Sequence, residues 1–258
     1  MLKHKIVNIF FISVLMLLAL ASFFMPIGIK YFIGVGLIWF LIVFVGSSFI
    51  ASNYHVKAYC SKPSISEKKI AITFDDGPNE MTIPVLEILK RNNVKATFFC
   101  IGKNVETLPE IFQKVISEGH IIGNHTYSHS SFFDFYSKRQ VVEEIEKTDA
   151  IITSFLGKKT TLFRPPYGVT NPSIRRALKT TKHKTIGWNI RSLDGIFKNE
   201  KFLINRVFKS IKPGGIVLLH DTSAVTVSVL EQLLLFLDRN NYTVVSLEEL
   251  LNIKAYED

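Results

Sequence analysis

Cysteine is scarce in this chain. Only Cys60 and Cys100 occur among 258 residues, which excludes a disulfide framework and suits a reducing compartment. Acid is missing from the start: residues 1–56 hold Lys3, Lys5 and Lys30 but no Asp or Glu. Long blocks of like charge are also absent, and the one dense basic cluster, Lys179, Lys182 and Lys184, is short. The net charge of +9 is therefore dispersed. It reads as solvated surface, suited to facing anionic lipid, and a nucleic-acid partner is not expected. No internal repeat or low-complexity tract interrupts the later sequence.

Apolar sequence, by contrast, is abundant at the N-terminus. Residues 6–25 and 31–50 are almost wholly apolar, separated by the turn Pro26-Ile27-Gly28-Ile29-Lys30. Each run is long enough to span a bilayer, at about 20 residues per span. The pair predicts a two-span, multi-pass membrane anchor over 1–52, a polar linker over 53–67 and one catalytic-size domain over 68–258. Lys3-His4-Lys5, an apolar run and Ala19-Leu20-Ala21 also fit a signal peptide, but the second run argues for membrane residence either way. Lys57, Lys62, Lys68 and Lys69 follow the second run, whereas the turn between the runs carries Lys30 alone. Because cytoplasmic flanks carry the lysine excess, a cytoplasm-facing domain is expected.

From Lys68 onward the pattern alternates between strands and helices. Strands are expected at 69–74, 95–101, 120–123, 160–163, 184–190, 215–219 and 242–246. Helices are expected near 80–92, 104–118, 138–156, 172–180, 200–211 and 226–240. Repeated β-α order predicts an α/β fold with a buried parallel sheet, a distorted (β/α) barrel of about seven units preceded by the transmembrane hairpin. The suspicious polar residues then fall at the C-terminal ends of strands. Asp75 and Asp76 follow the first, His125 the third, Arg164 the fourth and His220 the sixth. That rim is where barrels of this kind build their sites.

Two adjacent carboxylates ending an apolar strand repel each other and resist desolvation, and a cation beside them removes that cost. His125-Thr126-Tyr127-Ser128-His129 sets two imidazoles four residues apart, on one face if the stretch is a helical turn. One carboxylate with two histidines is a common catalytic ligand set that leaves positions open for water and substrate. Asp76 would be that carboxylate, leaving Asp75 free as a general base. Zn²⁺ is the expected metal, and Co²⁺, Ni²⁺ or Mn²⁺ suit the same ligands.

Thr73-Phe74-Asp75-Asp76-Gly77-Pro78, His125 to His129, Arg164-Pro165-Pro166-Tyr167-Gly168 and Leu218-Leu219-His220-Asp221 occur in that order. Over residues 66–250 the chain resembles the NodB-like polysaccharide deacetylases, carbohydrate esterase family 4. The resemblance implies hydrolysis of a carbon–nitrogen bond: metal-dependent N-deacetylation of an amino sugar in a glycan or lipid-linked saccharide. It implies Asp75 as base, Asp76, His125 and His129 as metal ligands, Arg164 as the partner of the base and His220 as acid. Tyr167 would offer a backbone N–H to the oxyanion, Leu218 would line the acetyl pocket, and Pro165 and Trp188 would belong to the substrate-binding wall.

One motif departs from that family. Where an Asp-x-x-Asp-Trp stretch is common, this chain has Arg191-Ser192-Leu193-Asp194-Gly195, so Asp194 is left as the group to orient His220. Phe132, Phe133, Phe135 and Tyr136 crowd the stretch after His129, as a platform for sugar rings or acyl chains, or as a packed loop–helix junction. Alternative functions are a membrane-anchored glycan-binding pseudoenzyme and a deformylase of a lipid-linked amino sugar. A substrate near the membrane lipid is favoured because the linker is short.

Overall fold

The computed structural model describes residues 3–257. Two helices lead, α1 (His4–Ala21) and α2 (Ile29–Ser48), and both are long and apolar enough to cross a membrane. They pack through a narrow seam in which Phe11 stacks on Trp39, and the Trp39 indole N–H donates to Asn8 Oδ1 at 3.0 Å. Their outer faces stay exposed, from Ile6 and Phe10 to Phe40 and Phe44. An exposed apolar surface on two sides of a hairpin is what a lipid-facing pair presents.

The catalytic-size domain is a curled parallel sheet with helices outside it. In chain order its elements are β1 (Ala58–Tyr59), β2 (Lys69–Asp75), α3 (Thr82–Arg91), β3 (Thr97–Cys100), α4 (Gly102–Thr107), α5 (Pro109–Ser117), β4 (Ile121–Asn124) and α6 (Lys138–Leu156). β5 (Leu162–Phe163), α7 (Pro172–Thr181), β6 (Lys184–Ile186), β7 (Ile190–Arg191), α8 (Glu200–Ser210) and β8 (Gly215–His220) follow. α9 (Ala224–Arg239), β9 (Thr243–Val244) and α10 (Leu247–Leu251) close it. The sheet runs β1-β6-β5-β4-β3-β2-β8-β7, with β9 also pairing with β2. Consecutive strands β6 and β7 thus lie near opposite ends of the sheet, as in an incompletely closed barrel.

Sequence explains most of this. β2 is central, flanked by β3 and β8, and is buried on both faces, so its apolar run is continuous rather than alternating. Each large side chain it removes from water contributes roughly 1.5–3 kcal/mol. α6 has the expected bounds, because Ser137 and Gln140 form a reciprocal capping box and Gly157 ends it at φ 66°.

Three departures have plain causes. The single helix expected over 104–118 breaks into α4 and α5 at Pro109, which lacks the N–H needed inside a helix but suits its first turn. The strand expected over 184–190 breaks into β6 and β7 at Gly187-Trp188-Asn189. There the chain leaves one end of the sheet for the other, and Asn189 Oδ1 accepts from Ile216 N at 2.8 Å. The stretch read as a linker carries β1 and buries Tyr54, His55 and Ala58 against the domain.

The foot of the hairpin is seated on that domain. Ser47 accepts from Thr170 N at 3.0 Å, and the Ser47 hydroxyl is 2.9 Å from His55 Nε2. The Tyr54 ring fills the space that a side chain at Gly46 would need. Gly123 plays a similar part deeper in the fold: a Cβ there would run into the Phe99 ring, which itself lies 4.1 Å from the Arg164 guanidinium. Gly123→Ala should therefore cost about 1–3 kcal/mol in thermal or urea unfolding. Wild-type stability would show that Phe99 is not locked in place.

Candidate active site

Register brings the first two groups together. β2 and β8 pair in parallel with Asp75 opposite His220. β4 pairs with β5, so Arg164 follows immediately after the Asn124–Phe163 pair. All of these lie at C-terminal strand ends, as expected from the alternation of elements.

Arg164 is completely buried, and Asp75 nearly so. The Arg164 Nη1 donates to Asp75 Oδ1 at 2.7 Å and to Thr73 Oγ1 at 2.8 Å. Its Nε and Nη2 donate to the carbonyls of Ile186 and Gly187 at 3.2 and 3.1 Å. The guanidinium is thus fixed on several sides, which a buried ion pair needs to offset its desolvation. Asp75 Oδ2 is turned toward the site, 3.9 Å from His125 Nε2.

Asp76 is held differently. Its backbone is left-handed, at φ 74°, so its carboxylate swings away from that of Asp75. Asp76 Oδ1 lies 3.4 Å from His125 Nε2 and 3.3 Å from His129 Nε2. The three ligand atoms lie within 4.8 Å of one another, and Asp76 Oδ1 is buried without an aligned hydrogen bond. His125 Nδ1–H donates to the Arg164 carbonyl at 2.7 Å, which fixes the tautomer and leaves the Nε2 lone pair facing Asp76. An orphaned carboxylate oxygen between two imidazole nitrogens fits a divalent cation. Burial would raise Asp76, but the closeness of the His125 imidazole, with His129 and His220, holds it well below the usual carboxylate range. Burial opposes charge on both imidazoles; Asp75 and Asp76 overcome it at His125 and raise it, whereas burial and His125 lower His129.

The two histidines do not share a helical turn. They sit on a loop in which Thr126 (φ 68°) and His129 (φ 46°) are both left-handed. Glu144 on α6 holds that loop, accepting from Tyr127 N at 3.0 Å, Ser128 N at 2.8 Å and Ser128 Oγ at 2.9 Å. Nothing in the sequence around Glu144 marks it for this task. Tyr167 is left-handed too (φ 59°), and its half-exposed ring meets His129 edge-on at 4.9 Å. Strained backbone concentrated at one rim is typical of a functional site.

His220 Nδ1–H donates to Asp194 Oδ1 at 2.7 Å, and His220 N donates to Asp194 Oδ2 at 2.8 Å. Ser192 Oγ, Thr226 Oγ1 and Gly195 N also donate to Asp194, at 2.7, 2.8 and 3.0 Å. Burial pulls the His220 imidazole down, but the hydrogen bond and charge of Asp194, helped by Asp75 and Asp76, raise it to about 9. Ser192 and Thr226 were not foreseen; their partner was. Asp221, in the same motif as His220, was also missed as a positioning group. It is fully buried, accepts from Thr82 Oγ1 at 2.5 Å and occupies the space beside Gly77 that a Cβ would need. Burial raises it to about 7.

Leu218 and Pro165 are buried beneath this rim. Trp188 packs over Gly168 and lies between the Arg164 and Arg191 guanidinium groups, at 5.6 and 5.7 Å. Of the aromatic stretch after His129, Phe133 is buried in the junction, while Phe132 and Phe135 point to solvent.

The family described as Polysaccharide deacetylase matches residues 62–186. A Bacillus cereus peptidoglycan-N-acetylglucosamine deacetylase is 36% identical over 198 residues, which cover 73% of this chain and 91% of that relative. A crystal structure of a peptidoglycan N-acetylglucosamine deacetylase, bound to a naphthyl N-hydroxybenzamide, superposes with TM-score 0.72 at 30% identity, covering 77% of this chain and 94% of that one. A Bacillus anthracis pseudoenzyme of carbohydrate esterase family 4 superposes with TM-score 0.67 at 28% identity, covering 72% of this chain and 66% of that one. The chain spans 40% to 60% of the length of longer curated relatives that it also matches.

The His220–Asp194 pair sets a pH dependence for stability. An imidazole raised from 6.5 to about 9 stabilises the fold fully below 6.5, and the contribution fades as pH rises through about 9. Asp194→Asn should remove that dependence. Parallel loss of stability between pH 6.5 and 9 in both proteins, followed by urea unfolding, would contradict the pairing.

Proposed function

This chain belongs to the polysaccharide deacetylase family, and we propose that it is a membrane-anchored, metal-dependent N-deacetylase of an amino sugar close to the bilayer. The observation that carries the activity is the separation of the two carboxylates. Asp75 is paired with Arg164 and faces the site through its second oxygen, while Asp76 faces the two histidines. One acid is thereby free for proton transfer and the other for holding a cation. Since the fold is shared with a pseudoenzyme, the fold alone does not carry activity; these residues do.

A divalent metal held by Asp76, His125 and His129 would polarise the acetamide carbonyl and acidify the attacking water. Zn²⁺, Co²⁺, Ni²⁺ and Mn²⁺ all suit that donor set. Asp75 takes the proton of the attacking water at Oδ2, because Oδ1 is engaged by Arg164. The Tyr167 N–H would support the carbonyl oxygen as negative charge grows on it. His220 passes a proton from Nε2 to the departing amine while Asp194 holds Nδ1–H. Acetate and a free amino sugar result. Leu218 and Pro165 floor the acetyl pocket, and Trp188 supports its wall.

The lysine-rich open end of the hairpin supports a cytoplasm-facing domain. On that side the substrate would be a lipid-linked saccharide rather than finished wall polymer. The names of the relatives favour the second reading, a peptidoglycan substrate across the membrane. Cys60 is a poor topology probe, since burial pushes its thiol up to about 11. An exposed Lys158→Cys in a Cys60→Ser background serves better. Membrane-impermeant maleimide should label it only after permeabilisation; labelling of intact cells would place the domain outside.

Two substitutions separate the roles of the acids. Asp75→Asn should keep metal affinity and lower acetate release by about 10²–10⁴-fold. His125→Ala should lower metal affinity and acetate release together. Metal loss in Asp75→Asn would show that the carboxylates are reversed. No acetate release by the metal-loaded wild type from either polymeric or lipid-linked N-acetylated glycans would favour the pseudoenzyme.

A further inference from the structure

A second concave site lies away from the catalytic rim, at the open end of the hairpin. A cavity of about 670 Å³ is enclosed by the start of α1, residues 53–57 and α7. The cations lining it are Lys3, Lys5, Lys57, Arg175 and Lys179, and among the described residues no carboxylate lines it. Concentrating five positive groups around one hollow is unfavourable unless an anion enters.

The polar groups behind these cations are incompletely satisfied. Arg175 Nε and the Nδ1 atoms of His4, His55 and His183 are buried without hydrogen-bond partners. The other ring nitrogens are engaged: His55 Nε2 with Ser47 Oγ at 2.9 Å, and His183 Nε2–H with Asp149 Oδ1 at 3.2 Å. Among the described residues, the Arg175 guanidinium has no ion pair. Burial, then His4 and Arg175, push His55 down to about 4, as expected for an imidazole in a positive field. A guanidinium with an unpartnered Nε, flanked by lysine ammonium groups, suits a phosphate with several acceptor oxygens.

Location identifies the source of that phosphate. α1 begins at this cavity and α2 ends beside it, where Ser47 meets the lining residue His55, so both apolar helices point away from it. If the hairpin spans a bilayer, the cavity lies at headgroup depth. We propose that it binds the phosphate monoester or diphosphate headgroup of an anionic lipid. The site clamps the foot of the hairpin to α7. Through Ser47 and Thr170 it also fixes the chain that follows Tyr167. The proposal rests on the membrane reading of the hairpin but not on the deacetylase chemistry, and binding rather than turnover tests it.

The full chain, purified in zwitterionic micelles, is titrated with dioleoyl phosphatidic acid, dioleoyl phosphatidylcholine and inorganic phosphate. Melting temperature and lipid retention in native mass spectrometry are the readouts. Phosphatidic acid should be retained and raise the melting temperature, whereas phosphatidylcholine should not. Arg175→Gln should weaken retention by about tenfold or more. Lys57→Gln, an exposed substitution that gives up only a contact 5.0 Å from the Tyr59 ring, should weaken it by a smaller factor and serves if Arg175→Gln folds poorly. Equal retention of phosphatidylcholine, or unchanged affinity in the folded variants, would overturn the proposal. Binding of inorganic phosphate as tightly as phosphatidic acid would show a free-anion site and overturn the lipid assignment.

Discussion

The buried ion pair between Arg164 and Asp75 is the constraint around which this domain is arranged. An arginine with no exposed surface is tolerated only when its donors are matched, and here Asp75, Thr73 and two carbonyls match them. Removing one partner of such a pair typically costs about 3–5 kcal/mol, so both strands that carry it are held in register by the same interaction that orients Asp75. Phe99 and Trp188 cover the guanidinium and keep water away. The Arg164 carbonyl, meanwhile, takes the Nδ1–H of His125. One residue therefore positions Asp75 with its side chain and His125 with its backbone.

The remaining groups reach the rim by departing from regular structure. Asp76, Thr126, His129, Tyr167 and Leu193 all adopt left-handed backbone there. Ser192, Thr226 and Asp221 hold these turns with buried hydrogen bonds, and Glu144 with partly exposed ones. Stability and function are thus drawn from the same polar contacts, and weakening one of them should be felt in both.

The strands and long helices were legible because their signals are local: continuous apolar runs for the central strands, and a capping box with a terminal glycine for α6. The order of polar residues at strand ends likewise placed Asp75, His125, Arg164 and His220 on one rim. Long-range contacts were not legible. The spacing of His125 and His129 suggested a helical turn, but Glu144, a helix away, holds a loop instead. Asp194 could be named from its motif, yet its donors Ser192 and Thr226 come from separate elements. β1 and the seating of the hairpin on the domain had no signal either, because Tyr54, His55 and Ala58 lie in polar, proline-containing sequence.

The central claim is that Arg164 reserves Asp75 for proton transfer and so leaves Asp76 alone to join the two histidines. Anomalous diffraction from crystals of the full chain soaked in Zn²⁺ tests it most directly. One peak is expected at this rim, bonded to Asp76, His125 and His129, with Asp75 still paired to Arg164. A metal bonded to Asp75, or one that pulls Asp75 away from Arg164, would contradict it.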